Sequence, residues 1–530
     1  MTNHIQRAVG ILGVVALFAT ACGTQLDDET VAAYAAGGVA VDPDSDLSFD
    51  EGTDGGQAAG PSTPGTPSSA PTPGTPTATP GTTVVTPGTS GDGGEATGGD
   101  AGTDDTPDDG AGDTGGGDTG GGDSGGGTDP GTGGDGGPAA DTRSMPAGGN
   151  GGATDTGVTE DRIVIYNVSD RTGAVPGLLQ DAQEAVAAYV LKFQSTEGTV
   201  YGRQVELVQR DSKMSTQENR AAYLDACNGA LAAVGSMSAF EQGVASPVSD
   251  CSIPDLRTAA VSPEVQVLPT VVSIDAMRPD TLPLVEWQYY LDNFPDAVTK
   301  AGYLWIDNAT TTFQTQQTRD ITTSELGYNW IHEGPIALSE VNYASVVQQL
   351  KDKGVELVAF QGAAQQAARI AKTMEQQNYS PTIYALQSNV YVPSLIEECG
   401  QTCETLNVVV GQTGALVEEM GGNPEMQEYA TWLARVNPRA VPTGLGLYAW
   451  SSAQLFFDAL KAVGPNVTRA AVLEHARSQT AFTGNGLIPE QYLQTQDPTD
   501  CIIILEIEGG AFTRVVPSSG YLCGNRIGTR

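Results

Sequence analysis

The segment Asp161–Phe193 constrains the fold most, because it joins a short apolar run directly to a helical repeat of apolar residues. Ile163 to Val168 is rich in β-branched residues, which predicts a buried strand. After a polar turn, apolar residues recur on one face from about Gly177 onward, which predicts a helix. In open α/β sheets the loop after such a strand is where ligands bind. The alternative is a purely structural strand–helix unit.

The same order of strand and helix repeats from Val158 to Val516, a span long enough for more than one domain. Further strands are predicted at 205–209, 231–234, 259–261, 301–306, 357–360, 382–386 and 408–410, with helices between them. Near the end, two apolar runs flank Gly509-Gly510, which predicts a closing hairpin. This order predicts an α/β fold with parallel sheets.

The first 156 residues have a different composition. Arg7 precedes an apolar stretch that is too short to span a bilayer, which is typical of a signal peptide. The tetrapeptide Ala19-Thr20-Ala21-Cys22 resembles a lipobox, in which the cysteine is lipidated and becomes the new N-terminus. The alternative is an ordinary secretory signal. Residues 22–156 are rich in Thr, Pro, Gly and Asp, so we predict a long disordered tether.

The charge excludes some partners. The chain has 530 residues, 64 acidic and 25 basic, and a formal net charge of −39. Between Asp27 and Asp141 there are 22 acidic residues and no basic ones, and the remainder is acidic as well. This balance argues against nucleic acid as a partner and against charge-driven binding to anionic lipid.

Six cysteines remain when Cys22 is set aside. An even number in an exported chain predicts disulfides, with 15 possible pairings. Order along the chain favours three local pairs, which are Cys227–Cys251, Cys399–Cys403 and Cys501–Cys523. A metal site at the four-residue spacing is the competing interpretation, but no histidine lies nearby. We therefore expect neither a metal nor a cofactor.

Several blocks together resemble the type I periplasmic binding proteins of ABC importers, in particular the leucine/isoleucine/valine-binding branch. The resemblance covers roughly 158–516 and rests on the order of the blocks, since none is a catalytic motif. The blocks are VTEDRIVIYNVSDRTGAVPG, YGRQVELVQRDSKMSTQENRAAYLDAC, AAVGSMSAFEQGVASPVSD, TAAVSPEV and VVQQLKDKGVELVAFQG.

The resemblance implies two Rossmann-like lobes with parallel sheets, joined by three crossing segments, with the ligand clamped between them. The expected boundaries are 1–21 for the signal peptide, 22–156 for the tether, 157–282 and 408–485 for lobe 1, and 283–407 and 486–530 for lobe 2.

The resemblance also implies the site. Ser236 and Ser238 lie between a strand and a helix N-terminus, where free backbone N–H groups favour a carboxylate. Helix capping by serine is the alternative. In lobe 2 the family usually places an acidic residue after the strand at 382–386, whereas this chain has Gln387 and Ser388. The full set of expected ligand-binding residues is Thr172, Ser236, Ser238, Ala260, Ser262, Gln361, Gln387 and Ser388.

These features predict a binding protein and not an enzyme. The expected ligand is a small polar molecule, such as an amino acid or a related carboxylate or amide. The expected partners are ABC permease subunits, and the expected location is the outer face of the cell membrane, where Cys22 anchors a monomer. The alternatives are a ligand-sensing receptor domain and an anchored hydrolase. The hydrolase is disfavoured because the three histidines lie outside any catalytic motif.

Overall fold

The structure is a computed structural model that describes residues 39–40, 142–524 and 526–530. All of these residues belong to one compact unit. The predicted signal peptide, Cys22 and the tether up to residue 141 lie outside the described residues, apart from 39–40. No helix in the described part is long and apolar enough to cross a membrane.

Strands and helices alternate along the chain, as predicted. The strands are β1 (Val39–Ala40), β2 (Arg162–Ser169), β3 (Gln204–Asp211), β4 (Ala232–Val234), β5 (Asp255–Ala259), β6 (Val271–Asp275), β7 (Thr281–Pro283), β8 (Ala301–Ile306), β9 (Trp330–Ile336), β10 (Leu357–Gln361), β11 (Ile383–Leu386), β12 (Val408–Gln412), β13 (Cys501–Glu508), β14 (Ala511–Val516), β15 (Leu522–Cys523) and β16 (Ile527–Thr529). The helices are α1 (Gln180–Thr196), α2 (Thr216–Gly229), α3 (Ala245–Cys251), α4 (Pro263–Gln266), α5 (Val285–Asn293), α6 (Pro295–Val298), α7 (Ala309–Leu326), α8 (Ala344–Lys353), α9 (Ala364–Gln376), α10 (Pro393–Cys399), α11 (Gln401–Thr405), α12 (Pro424–Val436), α13 (Gly444–Val463) and α14 (Arg469–Arg477).

Lobe 1 is built on a parallel sheet in the order β1-β3-β2-β4-β5-β6. The predicted apolar run in β2 is buried at its centre, and the apolar face of α1 packs into the same core. Helices α12, α13 and α14, which come much later in the chain, complete that core. Lobe 1 is therefore formed by two separate parts of the sequence.

Lobe 2 contains the larger sheet, in the order β14-β13-β12-β11-β10-β8-β9. Strands β8 to β12 are parallel, whereas β13 runs antiparallel to β12 and forms the predicted hairpin with β14. The two turn glycines, Gly509 and Gly510, have φ of 60° and 76°, a conformation that glycine adopts without steric cost. The C-terminal β16 pairs with β7 in a small separate sheet.

The lobe boundaries differ from the predicted ones. β12 was expected in lobe 1, but it pairs with β11 and β13 and so belongs to the sheet of lobe 2. Leu487, Ile488 and Leu493 were expected in lobe 2, but they are buried in the core of lobe 1. The chain crosses between the lobes three times, near 276–284, 413–423 and 494–500.

The folded chain begins earlier than the predicted boundary at 156, because residues 142–156 are fastened to lobe 1. The guanidinium of Arg203 is fully buried and donates to four carbonyl oxygens, those of Asn150 (2.5 Å), Gly152 (2.9 Å), Thr159 (2.7 Å) and Pro465 (2.8 Å). We call residues 142–156, held in this way, the N-terminal latch.

A buried ion cluster supports lobe 1 from inside. Arg257 contacts Glu241 at 2.8 Å and Asp255 at 3.6 Å, and all three side chains are fully buried. The second carboxylate oxygen of Glu241 accepts hydrogen bonds from the backbone N–H groups of Val261 (2.6 Å) and Ser262 (2.7 Å). Burial raises the pKa of Glu241, and the positive charge of Arg257 opposes that rise.

All three predicted disulfides are present, and they join Cys227 to Cys251, Cys399 to Cys403 and Cys501 to Cys523. The first closes a 24-residue separation across α2, β4 and α3, whereas the second closes only four residues. The first disulfide should stabilise the fold more than the second, because closing a longer loop removes more conformational entropy from the unfolded chain.

We expect the Cys227→Ala/Cys251→Ala variant to lose about 3 kcal/mol of unfolding free energy, as the chain-entropy model predicts. The Cys399→Ala/Cys403→Ala variant serves as the matched control and should lose about 2 kcal/mol, because its loop is shorter. Urea denaturation of the three proteins under non-reducing conditions measures both losses. Equal losses would contradict the loop-length argument.

Candidate functional site

A cavity of about 310 Å³ lies between the two lobes. Residues at or just beyond the carboxyl ends of parallel strands line it from both sides. Met237 follows β4 and Ala276 follows β6 in lobe 1, while Ile306 ends β8 and Gln387 follows β11 in lobe 2. This edge of parallel sheets is where α/β proteins bind their ligands, so the cavity is the candidate binding site.

Side chains of lobe 2 bridge to lobe 1 along one border of the cavity. Thr310 at the start of α7 donates to the carbonyl of Ala239 (3.1 Å) and accepts from the amide of Gln242 (2.7 Å). One turn further along α7, Gln314 donates to the carbonyl of Val261 (3.2 Å). The two lobes are therefore in direct contact, and these hydrogen bonds close one border of the cavity.

The walls of the cavity are largely apolar. Trp287 is almost fully buried in lobe 2, where its ring contacts that of Tyr290 with centroids 5.8 Å apart. Six further apolar lining residues come from the loops after β2, β3 and β4, from the crossing near 276–284 and from the start of α13. They are Val175, Leu178, Met214, Met237, Met277 and Leu445. A ligand with a hydrophobic body fits such walls.

Three of the eight predicted ligand-binding residues line the cavity, namely Gln361, Gln387 and Ser388, all from lobe 2. Thr172 is exposed, and its hydroxyl donates to the carboxylate of Asp211 at 2.5 Å. Ala260 and Ser262 are fully buried and lie outside the lining. The structure therefore brings together the lobe 2 part of the predicted site but not these three residues of lobe 1.

Ser236 and Ser238 do not line the cavity, because both are fully buried and engaged within lobe 1. The hydroxyl of Ser236 accepts a hydrogen bond from the backbone N–H of Val168 at 3.0 Å. The hydroxyl of Ser238 lies 3.0 Å from both carboxylate oxygens of Asp170 and donates to them.

Asp170 accepts hydrogen bonds from part of the turn that was predicted to hold a ligand carboxylate, namely from Ser238 and the backbone N–H of Ala239. Besides Ser238, its carboxylate accepts from Ser212 (2.6 Å) and from the backbone N–H groups of Met214 (3.0 Å) and Ala239 (2.8 Å). Burial raises the pKa of Asp170, and the four hydrogen bonds oppose the rise. The predicted carboxylate position is thus filled by a side chain of the protein itself. Because Met214 and Ala239 line the cavity, Asp170 lies directly behind its wall.

Two glutamine residues that line the cavity carry side-chain oxygens that are buried and unpaired. Gln266 donates its amide N–H to the carbonyl of Ala260 at 3.0 Å. Gln314 donates to a carbonyl as well, so its oxygen is the acceptor for the amide N–H of Gln361. Since a carbonyl can only accept, both orientations are fixed. The oxygens Oε1 of Gln266 and Gln361 have no hydrogen-bond partner among the described residues.

Two carboxyl groups also line the cavity, Asp275 at the end of β6 and Glu286 in α5. Burial raises the pKa of each to about 7. Glu286 accepts a hydrogen bond from the hydroxyl of Tyr290 at 2.8 Å, which partly opposes the rise. The side chain of Asp275 has no hydrogen-bond or ion-pair partner among the described residues.

Among the described residues lining the cavity, Arg278 is the single cation. Its guanidinium is directed to Asp280 (3.3 Å) and Asp497 (3.2 Å), and its side chain is 40% exposed. No group of three or more potential metal ligands occurs in the described part of the chain.

Sequence reasoning did not place Trp287, Gln266 or Asp275 in the site, and it missed the role of Asp170. One usable signal was the position of Asp275 directly after an apolar strand, like Gln387 after β11. The other was the position of Asp170 directly after the apolar strand β2.

Comparison with known proteins identifies the family of this chain. The model of a periplasmic binding protein family matches residues 163–511, and the chain belongs to this family. Its fold is that of the type I periplasmic binding proteins, of the kind that includes leucine- and isoleucine-binding proteins. The resemblance stated from the sequence is therefore confirmed.

Three solved structures illustrate the likeness. A leucine-binding protein from Thermotoga maritima is 16% identical, covers 67% of this chain and 98% of its own, and has a TM-score of 0.57. A fatty acid ABC transporter substrate-binding protein from Thermomonospora curvata is 18% identical over 68% and 93%, with a TM-score of 0.59. A branched-chain amino acid transporter substrate-binding protein from Streptococcus pneumoniae, in complex with isoleucine, is 12% identical over 67% and 100%, with a TM-score of 0.57. No curated protein matches the sequence significantly.

Proposed function

We propose that this chain is an extracytoplasmic solute-binding protein without catalytic activity, which clamps a small ligand between its lobes and delivers it to the permease of an ABC importer. The observation that carries the proposal is the cavity at the carboxyl ends of both parallel sheets, bordered by residues of both lobes. Two of the related structures support it, since they are the substrate-binding proteins of a fatty acid ABC transporter and of a branched-chain amino acid transporter.

The same proposal includes the anchor. The sequence Ala19-Thr20-Ala21-Cys22 supports lipidation of Cys22 at the outer face of the membrane, and the Thr/Pro/Gly/Asp-rich segment supports a long tether. The ligand would then be captured some distance from the membrane and carried to the importer.

The test of ligand binding is native mass spectrometry of the protein purified from its host. We expect a bound small molecule, and we expect Met237→Trp to lose it, because a larger ring at this cavity-lining position occupies the space. Val341→Trp is the matched control, since Val341 is 75% exposed and does not line the cavity.

The result that would contradict the proposal is a native protein with no bound molecule whose thermal stability is unchanged by extracts of the host medium. Retention of the same ligand by Met237→Trp would show that the ligand binds elsewhere on the protein.

A further inference from the structure

We infer that the cavity takes a ligand with an apolar body and an ammonium group but no carboxylate, and that Asp275 is the group that pairs with the ammonium. This inference rests on the proposed function, because it names the class of ligand for the same cavity. It differs from the small polar carboxylate or amide that the sequence predicts.

The cavity offers little to an anion. Asp170 accepts the hydrogen bonds of Ser212, Met214, Ser238 and Ala239, so the donors at that position are already used. Arg278 contacts two carboxylates of its own, Asp280 and Asp497. A ligand carboxylate would have to give up its hydration without gaining an opposite charge, which is costly in a site enclosed by protein.

The cavity is better suited to a ligand that donates hydrogen bonds. The side-chain oxygens of the lining residues Gln266 and Gln361 have no hydrogen-bond partner among the described residues, but both are buried behind the cavity surface. The carboxyl of Asp275 adds two further acceptor atoms and lacks a partner among the described residues. An ammonium group has three N–H donors and one positive charge, which matches acceptors of this kind.

The charged and titratable groups near Asp275 agree with this assignment. Arg278, three residues further on, is directed away to its own carboxylates, and Glu286 is a second acid lining the cavity. Burial and the nearby charge of Asp275 raise the pKa of Tyr448 on α13, whose hydroxyl donates to the carbonyl of Thr413 at 3.3 Å. Burial raises the pKa of Asp275 to about 7, so pairing with a cation would return it to the charged form.

The apolar walls set the rest of the ligand. Leu178, Met214, Met237 and Met277 surround the space with flexible or branched side chains, and Trp287 closes one side. Methionine adapts its shape to different partners, so alkyl and aryl bodies are both compatible with these walls. Without such a body, a bare ammonium ion would leave this surface in contact with water.

The experiment is isothermal titration of the full-length mature protein with matched probes. The first set is 2-phenylethylamine, 2-phenylethanol, 3-phenylpropionate and L-phenylalanine, and the second is 3-methylbutylamine with L-leucine, L-isoleucine, L-valine and decanoate. We expect each amine to bind at least tenfold more tightly than the matched acid or amino acid. Leucine, isoleucine and valine should bind more weakly than about 10 μM.

Variants separate a direct role of Asp275 from a structural one. Asp275→Asn should weaken binding of the amine at least tenfold and leave binding of 2-phenylethanol unchanged, because the alcohol does not need the charge. Asp307→Asn is the control, since Asp307 is exposed and does not line the cavity. At pH 6 the amine should also release about one proton on binding to the wild type, and Asp275→Asn should abolish that release.

Three outcomes would overturn the inference. Tighter binding of decanoate or of an amino acid than of the amines would show a carboxylate site, and the proposed function would stand. Equal amine binding by wild type and Asp275→Asn would exclude the pairing. Binding of none of the probes would also overturn it, and the proposed function would fail as well only if the host protein carried no ligand in native mass spectrometry.

Discussion

Replacing Arg257 with methionine should lower the free energy of unfolding by about 3–5 kcal/mol, because it leaves two buried carboxylates without their cation. Arg257 is the partner of both Glu241 and Asp255, and none of the three side chains reaches solvent. Methionine has a similar length and keeps most of the packing, so the loss reports the charge more than the volume. Urea denaturation at pH 7 measures it.

The pH dependence of that loss tests the electrostatic cause. Without Arg257 the pKa values of Glu241 and Asp255 should rise further, so both carboxyl groups are protonated at pH 5. At pH 8 each must either ionise without a cation or stay protonated while the unfolded chain is ionised. The raised folded-state pKa favours the folded state at low pH, and that advantage disappears as the pH rises. The loss should therefore be smaller at pH 5 than at pH 8. A loss that is independent of pH would point to packing instead.

Two further variants serve as controls. Arg162→Met breaks an ion pair in the same sheet at 2.9 Å from Glu206, but the arginine side chain is 52% exposed. That change should cost less than about 1 kcal/mol. Adding Glu241→Gln to Arg257→Met should recover part of the stability, because glutamine keeps the acceptor for Val261 and Ser262 while removing one uncompensated charge.

Replacing Asp170 with alanine should cost about 2–3 kcal/mol, because it leaves the part-buried backbone N–H groups of Met214 and Ala239 without their acceptor. The hydroxyls of Ser212 and Ser238 can rotate to other partners, whereas a backbone N–H cannot. Asp307→Ala is the control at an exposed position and should change stability by less than about 0.5 kcal/mol.

Formate provides a sharper test of the same variant. The space left by the Asp170 carboxyl should bind formate, and the melting temperature of Asp170→Ala should then rise with formate concentration. Wild type should show only the general effect of salt, measured in parallel with chloride. An equal response of both proteins to formate would mean that this position does not select a carboxylate.

Much of the architecture follows from local patterns. Apolar runs followed by helical periodicity located most of the strands and helices, since both periods are set by backbone geometry. The strand predicted at 259–261 shares only Ala259 with β5, and β6 and β9 were not predicted. The cysteines paired with their neighbours in sequence, and Gly509-Gly510 marked the hairpin. The assignment of β12 to lobe 2 could not be seen in this way, because it depends on pairing between strands that are distant in sequence.

The candidate site was less predictable for a physical reason. Gln361, Gln387 and Ser388 follow strand ends, and that local signal located them. Whether the hydroxyl of Ser238 hydrogen-bonds to a ligand or to another side chain depends on which other loops lie next to it. Asp170 reaches it from a loop 68 residues away in sequence, and no local pattern reveals that contact.

The N-terminal latch gives the two lobes unequal mechanical roles. The carbonyls of Thr142 and Arg143 accept from the backbone N–H groups of Tyr201 and Gly202, just before β3, and Arg203 holds the carbonyls of Asn150 and Gly152. A pull applied to the chain just before Thr142 is therefore transmitted to the β3 side of lobe 1. Lobe 2 receives that load through lobe 1, to which it is joined by the three crossings and by hydrogen bonds such as those of Thr310 and Gln314. In a tethered molecule lobe 1 is the lobe next to the anchor, and lobe 2 moves relative to it when the cavity opens. A label or partner that reports opening should therefore be placed on lobe 2.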